Sequence, residues 1–292
     1  MLHVLGIEET IKNVYMLSKK FMKRKHISNT YELKPFYLKF LKKHQPVQPI
    51  PDTLSISFIA DTIGIWTQLN PESSGNALDD IHQQSMIGEA YSTDEQAQHL
   101  EALKLGYLHL TESNTELKAL FDLIIHTIFL RKSRTIDQHI SFGGSSSAGI
   151  GLIWISGHGA LDRADIAELL LHELTHHQLF IDERCHMHYN YAALCKPENF
   201  SSSAILNKKR PLDKVVHSII VATEIILARN KFLTQQETKV HATSKDLMAK
   251  AVAAIKETMR MANINELLSE RTRKMLEKAE ASLSAIEGKL MS

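Results

Sequence analysis

His172 and His176 stand four residues apart in the run His172-Glu173-Leu174-Thr175-His176. On a helix this spacing stacks two imidazoles on one face, where both can reach a single ion, and turns Glu173 onto the neighbouring flank. The pattern is H-E-x-x-H, whose histidines ligate a metal and whose glutamate can act as base toward a metal-bound water. Ile166, Leu169, Leu170, Leu174 and Leu179 surround the pair and imply a largely buried helix. Histidines in such a place need either a hydrogen-bond partner or a metal.

The third ligand decides which chemistry follows. Asp182 lies six positions beyond His176, but using it would need a sharp turn of the kind glycine makes, and Gln178 and Leu179 stand where that turn would start. The helix is therefore expected to run on. Glu198 and Glu224 are downstream carboxylates, and His186 and His188 form an H-x-H pair read as a polar surface segment or a support for the ligands. His217 opens a strongly apolar helix behind Pro211, which suits a first helical turn. It is the preferred third ligand.

Two blocks carry a resemblance. LLLHELTHHQL gives H-E-x-x-H-x-x-L from His172 to Leu179, and RPLDKVVHSI places Arg210-Pro211-Leu212 ahead of His217. Together, over roughly residues 140–230, they resemble the H-E-x-x-H type of 2-oxoglutarate-dependent peptide β-hydroxylases that tailor ribosomally made peptides. The resemblance implies Fe(II) on His172, His176 and His217, with 2-oxoglutarate as cosubstrate and a peptide as substrate. Three imidazoles leave three positions of an octahedral iron open, which is what a bidentate 2-oxoacid and dioxygen require. Arg210, a planar fork able to make two parallel bonds, is the implied partner of the cosubstrate's distal carboxylate. Glu173 would then orient a ligand or accept a proton.

A zinc metallopeptidase is the alternative, with Zn²⁺ on His172, His176 and either His217 or Glu224, and with Glu173 as general base. A catalytically silent binding module built on a degenerate metal fold is a third class. The ligand pair and Glu173 together speak against it.

These residues need a scaffold, and the sequence predicts an α+β one that is mostly helical. A small antiparallel or mixed sheet would pack on a zincin-like active-site helix, with extra helices at both termini. Ile7, Ile11, Val14, Tyr15 and Leu17 mark an amphipathic N-terminal helix, and the basic stretch KKFMKRKH continues its apolar stripe as a solvated face. After the proline-rich QPVQPIPD, the alternation in LSISFIA reads as a strand. A helix is expected from about Thr93, whereas ELKALFDLIIHTIFLRKS fits either one buried helix or a helix running into a strand. Phe142 to Ile155 is glycine-rich and strand-like, an edge on which a peptide could pair. Asp162 and Asp165 announce the start of the histidine helix. The C-terminal KDLMAKAVAAIKETMRMA and INELLSERTRKMLEKAEASLSAIEGKL read as packing helices. Accordingly residues 1–50 are expected as an N-terminal helical segment, 51–235 as the metal-binding core and 236–292 as a helical extension, all in one unit.

Composition narrows the classes further. With 34 Lys and Arg against 33 Asp and Glu over 292 residues, a net charge of +1 offers no pull toward nucleic acid or an anionic membrane. Cys185 and Cys195, the chain's 2 cysteines, are too few for a secreted disulfide framework. The acidic, amphipathic start lacks the form of a signal peptide, and LFDLIIHTIFL is too short to span a bilayer. A soluble, cytoplasmic protein is expected.

Overall fold

Side-chain caps set the start of several helices in the computed structural model. It describes residues 2–23, 26–60, 64–65, 90–112, 114–132, 142–156, 161–206, 208–233 and 238–290; Arg24 and Lys25 of the basic stretch lie outside the described residues. These gather into two compact units, one of Ile7–Ile181 and one of Met1–Gly6 with Asp182–Ser292.

In the first unit α1 (Ile7–Ser18) is followed by α2 (Thr30–His44), α3 (Thr93–Thr111) and α4 (Thr115–Ile124). Asn29 caps α2 by accepting from the Glu32 amide, Asn114 caps α4 through Leu117, and Ser92 with Glu95 forms a reciprocal capping box at α3. Each cap satisfies amides that the first helical turn leaves without partners. The strands are β1 (Ser57–Ala60), β2 (Thr127–Leu130), β3 (Gly143–Gly144) and β4 (Leu152–Ile155), and α5 (Arg163–Cys185) follows, its last turn entering the second unit. So α4 ends at Ile124 and a strand begins at Thr127, which resolves the ambiguous segment as helix into strand.

The sheet has the order β1-β2-β4-β3. β1, β2 and β4 run parallel, in a register that sets Ile59 beside Phe129 and Phe129 beside Trp154, while β3 joins β4 antiparallel. Every residue of β2 and of β4 is buried, as the unbroken apolar runs of parallel strands require. Helix α3 packs on β1 and β2, and α1, α2 and α4 pack together. The architecture is α+β, mostly helical with a small mixed sheet.

A loop between β3 and β4 matters for the site. Gln45, just past α2, donates to the Ile150 carbonyl at 3.1 Å and accepts from the Ile150 amide at 2.8 Å, so one side chain mimics a strand neighbour. Gln48 donates to the Ala148 carbonyl at 3.3 Å. Gly151 then turns the chain with φ of +93°, and a Cβ there would lie 2.4 Å from Cδ2 of His126. Only glycine fits both conditions.

The second unit holds α6 (Tyr191–Leu194), β5 (Ser201–Ser202) paired antiparallel with β6 (Lys209–Arg210), then α7 (Leu212–Lys231), α8 (Ser244–Met259), α9 (Ile264–Leu267) and α10 (Glu270–Leu290). α7 is buried nearly all round, with α8 and α10 packed on it, the behaviour of a helix apolar on every face. Leu2 and Val4 are buried as well, and the Val4 amide donates to Glu224 Oε1 at 2.6 Å. Among the described residues no helix is long and apolar enough to cross a membrane.

Candidate metal centre

Helix α5 starts where Asp162 and Asp165 predict. Asp162 Oδ1 accepts from the amides of Ala164 and Asp165 at 2.8 and 2.9 Å, and Asp165 returns the bond by accepting from the Asp162 amide at 3.0 Å. From that start the helix runs without a break past Asp182 to Cys185. His172 and His176 therefore meet on one face, with their Nε2 atoms 3.1 Å apart and their rings tilted 55°. Phe180, one turn further on, stacks on the His176 ring at 6.0 Å.

The distance between those nitrogens is a test of fit. With metal–nitrogen bonds of about 2.0–2.1 Å, it subtends roughly 100° at a shared ion, between the octahedral and tetrahedral values. The residues present thus suit a metal. Glu173 is only 2% exposed. Its Oε1 lies 3.8 Å from His172 Nε2, and its Oε2 accepts from Ser145 Oγ at 2.7 Å. Burial pushes the Glu173 carboxyl up to about 8, and the Ser145 bond opposes that shift only in part. The ligand atoms of His172, Glu173 and His176 all lie within 4.8 Å of one another.

His177 faces the other way, since neighbours on a helix diverge by about 100°. The Gly151 amide donates to its Nδ1 at 3.3 Å, which leaves Nε2 to carry the proton and donate to the Leu152 carbonyl at 3.1 Å. Burial pushes this imidazole down to about 4. It is a neutral peg between helix and sheet.

No protein-family model and no curated protein matches the chain.

The remaining sequence candidates lie in the second unit. His217 sits on α7 and is 6% exposed, and Arg210 ends β6 at 8% exposed, so Arg210 is no surface charge. Three alternatives are already engaged or exposed. Asp182 has both oxygens taken by Arg271 and His188, Glu224 receives the Val4 amide, and Glu198 stands exposed on the turn Pro197–Asn199. His188 is buried against Asp182 at 2.6 Å, whereas His186 is half-buried and Met187 between them is exposed. Ser145 was not legible as a site residue. Its signal is the serine run that directly follows Gly143-Gly144, small polar residues in the loop ahead of the buried strand β4.

Proposed function

We propose that this protein is a mononuclear metalloenzyme of the Fe(II) and 2-oxoglutarate dependent type, hydroxylating an unactivated β-carbon of a peptide, a ribosomally made precursor being the substrate class. The observation that carries the reading is the 3.1 Å approach of His172 and His176 Nε2 beside a buried Glu173. His217 as third ligand and Arg210 as the clamp on the cosubstrate's distal carboxylate enter on the sequence resemblance alone. Iron with 2-oxoglutarate and dioxygen supplies a one-oxygen oxidant: one oxygen atom ends in succinate, carbon dioxide leaves, and the other oxygen becomes the hydroxyl.

The chain's own residues would do the rest. The imidazoles hold and orient the ion, and burial around Glu173 restricts water. The reading includes a zincin-like packing of sheet and α5, supported by the antiparallel strand β3 at one end of the sheet, next to the serine that touches Glu173.

One observation favours a zinc metallopeptidase as the second reading. Glu173 Oε1 lies 3.8 Å from His172 Nε2, beside the ligand pair, where a general base toward a metal-bound water would stand. Metal analysis of anaerobically purified protein, with an assay for succinate released from 2-oxoglutarate, separates the two. Iron and succinate release support the hydroxylase; zinc with peptide-bond cleavage and no use of 2-oxoglutarate rejects it. Glu173→Gln should cost a peptidase orders of magnitude in rate, whereas a hydroxylase would retain activity.

A further inference from the structure

We propose that Ser145 is a positioning residue for Glu173, its hydroxyl holding one carboxylate oxygen so that the other faces the His172–His176 pair. The assignment rests on the reading of that pair as a metal site.

Among the described residues, Ser145 Oγ is the one hydrogen-bond donor to the Glu173 carboxylate, at 2.7 Å. A carboxylate has room for about four such bonds, so this one selects its orientation. With Oε2 engaged, Oε1 is the oxygen left 3.8 Å from His172 Nε2. Without the donor, the two oxygens become equivalent and the terminal torsion, which is broad for glutamate, is free to turn.

The donor is set in place by the chain on both sides, so it does not simply follow the carboxylate. Before it, a Cβ on Gly143 would lie 2.8 Å from the Trp154 carbonyl oxygen, and one on Gly144 would lie 2.6 Å from Trp154 Nε1. The glycine pair lets β3 lie this close to β4. After it, Gln45 and Gln48 fix the backbone at Ile150 and Ala148. Ser145 therefore presents its hydroxyl from a strand end tied to the sheet and to the segment after α2.

The test uses Co(II) on the full chain, with affinity from chelator competition and the visible absorption band as a signature of the metal's surroundings. Supporting groups around metal sites typically contribute 10- to 100-fold, so Ser145→Ala should loosen Co(II) about tenfold and shift the band. Ser145→Thr, which keeps the hydroxyl, should restore both. In a Glu173→Ala background, adding Ser145→Ala should change neither, because the hydroxyl then has nothing to hold. Should Ser145→Ala fail to fold, Ser145→Cys keeps the volume, offers only a weak donor and reads the same test. An unchanged band in folded Ser145→Ala or Ser145→Cys, or a shift that persists in full without Glu173, overturns the assignment. Absence of Co(II) binding by the unaltered protein overturns the metal reading and this inference with it.

Discussion

Arg271 grips Asp182 with two nitrogens, Nε to Oδ2 at 2.7 Å and Nη2 to Oδ1 at 2.5 Å, joining the last turn of α5 to α10. His188 Nε2 meets the same carboxylate at 2.6 Å. Burial alone would push the Asp182 carboxyl up, but the bonds from His188 and Arg271 outweigh it and hold it well below the usual range. Removing one partner of a buried pair leaves an uncompensated charge, so Arg271→Ala should cost about 3 kcal/mol. Urea unfolding measures this. Because the folded carboxyl is depressed, its stabilisation is present above about pH 4 and is lost as pH falls below that.

Acid should weaken the first unit in a different window. His126 is fully buried, and burial, helped by the Lys34 charge, pushes it down to about 3 from 6.5. The unfolded chain therefore binds one more proton than the folded one between those values, and stability is lost as pH is lowered through them. The slope from this group alone is about 1.4 kcal/mol per pH unit at most. Unfolding midpoints followed from neutral pH downward should decline early, and His126→Asn should flatten the decline.

Gly151→Ala should cost more than a surface substitution. The residue combines φ of +93° with a Cβ position 2.4 Å from His126 Cδ2 and 3.1 Å from the Ile124 carbonyl oxygen. Strain of this kind costs on the order of 1–3 kcal/mol, and the clash adds to it. A thermal melt of the variant should show a fall of several degrees, about 2–4 °C per kcal/mol for a chain of this size.

Local pattern made part of this molecule readable. The i, i+4 histidines, the reciprocal Asp162 and Asp165 cap, the alternation leading into β1 and the apolar run of β4 depend on neighbours a few residues away, and each forms as its spacing predicts. Helix α2 was less legible, because Pro35 lies inside it and Lys34 is buried there, donating to the Ile125 carbonyl across 91 residues of sequence. Both break the usual helical and burial patterns. Remote partners carry no such local mark: Ser145 lies 28 residues from Glu173 and, in the second unit, Arg271 lies 89 from Asp182. Periodicity carries no information about contacts at such separations. Even His177, next to a candidate ligand, takes its role from Gly151 and Leu152.

The most direct test of the account is the metal content of the purified chain, measured by elemental analysis beside His172→Ala and His176→Ala. One ion per chain in the unaltered protein, with near-complete loss in both folded variants, is the predicted result. Equal metal in all three, or none in the unaltered protein after anaerobic purification and incubation with iron or zinc, would contradict it.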